Sequence, residues 1–83
     1  MSDVLQEVDR KALQLKSAGD YFQLQCGDVE NALKCYRKSL ELVTTGNTVL
    51  RRELAEVIPI CLAQLGRIDE AFILMQEMSL KIE

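Results

Sequence analysis

The sequence predicts an all-α protein built as a stack of antiparallel helix hairpins, and three observations support this fold class. A skeleton of Gly followed five residues later by Ala begins at Gly27 with Ala32, and it returns at Gly66 with Ala71, a period of 39 residues. Apolar residues recur at spacings of three and four, which is the period of an amphipathic α-helix. The composition, with 48% hydrophobic residues and one proline, suits a helical globular domain.

The first predicted helix runs from about residue 3 to about residue 25. Ser2 or Asp3 can cap its first turn, with Gln6 in capping-box register after Asp3. Its predicted inner face consists of residues three or four positions apart, namely Val4, Val8, Ala12, Leu15, Gly19 and Phe22. We expect residues 1–11 to extend this helix beyond the repeat itself.

The second predicted helix runs from about residue 28 to about residue 43. Gly27 can end the preceding helix, and Asp28 can cap the next one. Its predicted inner face is Val29, Ala32, Leu33, Tyr36, Ser39, Leu40 and Val43. The polar run 44–47 then breaks the helical pattern, which predicts a connection.

The third and fourth predicted helices run from about residue 48 to 65 and from about residue 67 to 81. The third directs Leu54, Ile58, Cys61, Leu62 and Leu65 towards the core, and the fourth directs Ile68, Ala71, Leu74, Met75, Met78 and Ile82. At 100° per residue, Ile73 and Leu80 fall opposite that inner face and Phe72 falls on its flank. We therefore expect Phe72, Ile73 and Leu80 to form an association face covered by another polypeptide.

The segments upstream of the two repeated glycines are also alike, since Leu15 to Phe22 and Ala55 to Leu62 both match the first half of the repeat signature W-x2-L-G-x2-Y. With these segments and the repeated Gly and Ala positions, the chain resembles the tetratricopeptide repeat family. Two copies fit within a single domain of residues 1–83, repeat one over about 12–45 and repeat two over about 52–83. The period of 39 residues makes it a lengthened type of repeat, since the usual period is about 34.

The resemblance implies a non-catalytic protein-interaction module, a scaffold or adaptor that binds a partner peptide or helix along the wall formed by the first helix of each repeat. On that wall the resemblance places Leu13, Lys16, Asp20, Leu24, Glu53, Glu56, Val57, Ile60 and Gln64. The groove is apolar with a mostly acidic rim, so it implies a partner with apolar anchors and basic flanks. Asp20, Glu53 and Val57 stand where family members that clamp acidic chaperone tails need hydrogen-bond donors, which argues against that specialised function.

Other classes of function have little support in the sequence. The chain has no histidine, no C-x-x-C pair and no glycine-rich phosphate loop, so we expect neither an enzyme nor a metal or cofactor site. A net charge of −3 gives no electrostatic reason to bind nucleic acid, and no apolar run is long enough to insert into a membrane. Three cysteines and no signal-peptide pattern predict reduced thiols in an intracellular, cytoplasmic protein.

Two alternative functions remain open from the sequence. One is a small dedicated chaperone, similar to the acidic tetratricopeptide-like cochaperones of type III secretion that mask an export substrate. The other is a purely structural helical block that self-assembles into an oligomer through its apolar faces. The sequence does not identify the partner, and it does not separate homo-oligomers from hetero-oligomers.

Overall fold

A computed structural model describes residues 3–82 of the protein, with the side-chain surroundings of residues 7–77. The α-helix α1 comprises Asp3–Tyr21 and continues as a π-helical turn, Phe22–Cys26. Three further α-helices follow: α2 is Val29–Leu42, α3 is Thr48–Gln64 and α4 is Ile68–Ile82. Between residues 3 and 82 the chain has helices, turns and no strand, so the predicted all-α fold class is confirmed.

Consecutive helices pack on one another, α1 on α2, α2 on α3 and α3 on α4. Two side-chain contacts also join α1 and the π-helical turn to α3. Lys16 Nζ lies 3.8 Å from Glu53 Oε1, and Gln23 Nε2 donates to Gln64 Oε1 at 3.2 Å. The first helices of the two hairpins therefore lie on the same side of the stack.

The first helix ends differently from the prediction, because its last turn is π-helical. Repeat one has one more residue between Phe22 and Gly27 than repeat two has between Leu62 and Gly66. A π-turn takes up a single inserted residue without breaking the helix. Gly27 then ends it at φ 67°, and its N–H donates back to the Phe22 carbonyl. Such a left-handed φ strains any residue that has a Cβ.

The core is centred on Tyr36 of α2, whose side chain is completely buried. Gly19 of α1 lies directly against its ring, and a Cβ built on Gly19 would stand 2.6 Å from Tyr36 Cε1. Ser39, also buried, donates its hydroxyl hydrogen to the Ala12 carbonyl of α1. The small residues of α1 thus allow α2 to approach closely while the buried polar atoms keep their partners.

Most of the predicted core is confirmed, with two differences. Leu50 and Pro59 of α3 are buried, although neither was predicted to face the core. Ile68 and Met75 were predicted to pack inside the repeat, yet they are 63% and 46% exposed. Of the described residues of α4, only Ala71 is buried and Leu74 is half-buried, because α4 packs on α3 alone whereas α2 packs on both α1 and α3. Val4, Met78 and Ile82 lie outside the residues whose side chains are described.

Asp9 of α1 fastens the connection between α2 and α3. Its Oδ1 accepts the Thr44 N–H at 2.9 Å and its Oδ2 accepts the Thr44 hydroxyl at 3.0 Å. The backbone hydrogen bond from Thr44 is the main reason why the pKa of Asp9 lies below its ordinary value; the side-chain hydrogen bonds act in the same direction. A depressed carboxyl pKa contributes stability that is present above the unfolded pKa and is lost as the pH falls through the folded value.

We expect Asp9→Asn to be less stable than the wild type at pH 7, because the charged acceptor of two hydrogen bonds is lost. Below about pH 4, where an unfolded aspartate becomes protonated, the difference should shrink. Thermal unfolding at a series of pH values measures this difference, with Glu41→Gln as a control that removes an exposed carboxylate. A stability difference that stays constant down to the acid transition would contradict this assignment.

Candidate functional site

The predicted partner-binding wall is formed by α1, the π-helical turn and α3, and its polar residues contact one another. Lys16 Nζ lies 2.9 Å from Asp20 Oδ2 and also contacts Glu53 across the two helices. Asp20 Oδ1 accepts the Tyr36 hydroxyl at 2.6 Å, with Gln23 Oε1 3.0 Å from the same hydroxyl. The lysine of this wall is therefore already neutralised by neighbouring carboxylates, and Asp20 serves the core as well as the surface.

The apolar residues predicted for this wall are in different surroundings. Leu13 is 53% exposed and borders an open groove of about 490 Å³ between the middle of α1 and the N-terminal part of α3. Leu24 is 74% exposed in the π-helical turn. Val57 is half-buried and packs against the core, so it offers little surface to a ligand.

A second and more apolar groove lies between α3 and α4. Its volume is about 570 Å³, and we call it the α3–α4 groove. Glu56 and Ile60, both predicted for the wall, line it together with Pro59. From α4 it is lined by residues on one side of the helix, namely Ile68, Ala71, Phe72 and Met75. Arg52 and Glu56 are its charged residues.

The predicted association face of α4 overlaps only in part with the surface of α4 that lines this groove. Phe72 is 59% exposed and lines the groove, whereas Ile73 is 55% exposed and does not. Leu80 lies outside the residues whose side chains are described. Of the exposed apolar residues that α4 contributes to the groove, the sequence did not predict Ile68 and Met75, because their helical spacing is the same as that of a buried stripe. Their exposure depends on the number of helices that pack on α4. Only α3 packs on α4, whereas both α1 and α3 pack on α2.

The buried thiol of Cys61 and the buried phenol of Tyr36 are poorly placed for chemistry. Burial raises the pKa of the Cys61 thiol, and the nearby Asp20 carboxylate raises it further, so this thiol stays protonated near neutral pH. Burial also raises the pKa of Tyr36, with the hydrogen bond to Asp20 adding to the effect. Cys35 is half-buried and Cys26 is exposed in the π-helical turn.

Comparisons with models of protein families, with curated proteins and with solved structures give no match. In the part of the chain that the structure describes, every helix is too short or too polar to cross a membrane. The same residues contain no cluster of three or more cysteine or acidic side chains arranged to hold a metal ion. What the described surface does offer is exposed apolar area in a groove between two helices.

Proposed function

We propose that this protein is a non-catalytic protein-interaction module of the tetratricopeptide type, an intracellular adaptor that binds a helix or peptide of a partner protein. The observation that supports this function best is the α3–α4 groove. Phe72, Ile68 and Ile60 are each more than half exposed, and they line one continuous concave surface. Concave apolar surfaces with few charged groups are typical of sites for polypeptide ligands.

The energetics favour an apolar ligand with a basic flank. Full burial of a large apolar side chain contributes about 1.5–3 kcal/mol, before the cost of association is subtracted. Glu56 is exposed at this groove, and Arg52 lines it one turn earlier on α3. The Glu56 carboxylate favours a Lys or Arg next to it on the ligand, with an affinity that decreases as salt is added.

A displayed library of random peptides, selected on the full chain, tests this function. We expect enriched peptides to carry apolar residues at spacings of three and four together with Lys or Arg. Glu56→Lys should weaken their binding several-fold. Glu41→Lys on α2 is the matched control, since it makes the same change in net charge at an exposed position outside both grooves. Failure to select any peptide, or binding that Glu56→Lys and Glu41→Lys affect equally, would count against the proposal.

A further inference from the structure

The two repeats can be compared position by position, and the comparison shows what the α3–α4 groove lacks. In the second helix of each repeat, Leu33 corresponds to Phe72 and Tyr36 corresponds to Met75. Leu33 is 3% exposed and Tyr36 is fully buried, whereas Phe72 is 59% and Met75 46% exposed. The difference arises because α3 packs on α2 in repeat one, while no helix among residues 3–82 packs on α4 in the same way. The α3–α4 groove is therefore the repeat-two counterpart of the surface that α3 covers.

Repeat two is also more apolar at the positions where repeat one makes polar contacts. In the first helix of each repeat, Asp20 corresponds to Ile60 and Gln23 corresponds to Ala63. The hydrogen bonds from Tyr36 to Asp20 and from Gln23 to Gln64 thus have no equivalent in repeat two. A ligand that covers Ile60 and Ala63 needs no polar partner for them.

One charge is reversed between the repeats, and it gives the groove a preference. Lys16 of α1 contacts Glu53 of α3, and the residue that corresponds to Lys16 is Glu56. A helix that lies on repeat two as α3 lies on repeat one would bring its equivalent of Glu53 close to Glu56. A basic residue at that position forms an ion pair, whereas an acidic residue is repelled.

We propose that the α3–α4 groove binds an amphipathic α-helix of a different polypeptide, and this inference rests on the proposed function. The bound helix lies on repeat two in the orientation that α3 has on repeat one. Its apolar residues follow the spacing of the buried α3 positions Leu50, Leu54, Ile58 and Cys61. A Lys or Arg immediately precedes the second of them, at the place of Glu53, and pairs with Glu56. The partner is thus recognised by apolar spacing together with one basic position.

The first helix of a second copy does not fit this description. The α1 residues that correspond to the buried stripe of α3 are Arg10, Gln14, Ala18 and Tyr21. Arg10 and Gln14 are exposed polar residues, Ala18 is small and Tyr21 is 59% exposed. Docking this face into the groove would place a guanidinium and an amide where α3 places two leucines, and removing these polar groups from water costs free energy. Head-to-tail stacking of copies through α1 is therefore disfavoured, which favours a helix of a different polypeptide.

A charge-swap binding experiment tests the proposal with the α3 sequence itself as the probe. Two fluorescent peptides of residues 48–65 both carry Pro59→Ala and Cys61→Ala, and one of them also carries Glu53→Lys. We expect the Glu53→Lys peptide to bind the full chain roughly threefold to tenfold more tightly, as measured by fluorescence anisotropy. Glu56→Lys in the protein should reverse this preference. Phe72→Ser should abolish binding of both peptides, whereas Ile73→Ser, an equally exposed change outside the groove lining, should leave it intact.

The possible outcomes distinguish an error in the inferred register of the bound helix from an error in the proposed function of the groove. Binding that is lost in Phe72→Ser but shows no charge preference would overturn the inferred register and leave the proposed function standing. Binding that is unaffected by Phe72→Ser, or no binding of either peptide, would overturn the docking site itself. Sedimentation equilibrium tests whether a second copy of this chain occupies the groove instead. A wild-type dimer that dissociates in the Phe72→Ser variant would show that it does, contrary to the proposal. Far-ultraviolet circular dichroism of each variant confirms that the helices are retained.

Discussion

Tyr36→Ala is expected to remove a large part of the stability of this protein. The wild-type side chain is fully buried between α1 and α2, and it is the largest such residue in the core. Truncating a buried aromatic residue to alanine costs about 3–5 kcal/mol, from lost burial and the cavity that remains. An 83-residue domain has a total stability of only about 4–12 kcal/mol. The expected decrease in the thermal midpoint is roughly 12–40 °C, measured by circular dichroism.

Tyr36→Phe is the graded control for this prediction. It keeps the ring against Gly19 and removes only the hydroxyl that Asp20 accepts at 2.6 Å. Losing a hydrogen bond to a partly exposed carboxylate should cost about 1–2 kcal/mol, since Asp20 keeps its contact with Lys16. A Tyr36→Ala protein that melts within a few degrees of Tyr36→Phe would show that the ring is not the centre of the core.

The sequence was informative about this core because the α1–α2 hairpin is specified by local signals. Gly27 and Asp28 mark the end of one helix and the start of the next, and both act as predicted: Gly27 has a positive φ and Asp28 caps the Asn31 N–H. The inner face of α2, including Tyr36 and Ser39, follows directly from helical periodicity. Each of these signals depends on residues close together in the chain.

The sequence was less informative where the outcome depends on which helices are neighbours. Periodicity shows that Ile68 and Met75 share a face with Ala71, but it cannot show whether a helix covers that face. In the same way, the spacing that put Glu53, Glu56 and Ile60 on one wall does not show that Glu56 and Ile60 line a groove beside α4. The π-helical turn had a local signal, the inserted residue before Gly27, yet that residue could also have lengthened a loop.

The second large effect on stability is expected from leucine substitutions at the corresponding alanines of the two repeats, Ala32 and Ala71. The substitution is the same at both positions, but the surroundings differ. Ala32 is fully buried in α2, the helix that packs on both α1 and α3. Leucine there adds three carbon atoms to a packed interface, which should cost about 1–3 kcal/mol. Ala71 of α4 also has almost no exposed surface, but it lies at the floor of the α3–α4 groove. A leucine side chain at Ala71 can extend into that open volume without displacing another helix.

We therefore expect Ala32→Leu to lower the thermal midpoint by roughly 4–24 °C and Ala71→Leu to change it by only a few degrees. The two variants should show the opposite order in peptide binding. Ala71→Leu fills the floor of the groove and should weaken the Glu53→Lys peptide of residues 48–65, whereas Ala32→Leu, measured well below its midpoint, should bind it nearly normally. Equal destabilisation by the two substitutions would mean that Ala71 is as tightly enclosed as Ala32, and that the α3–α4 groove is too shallow to accept a helix.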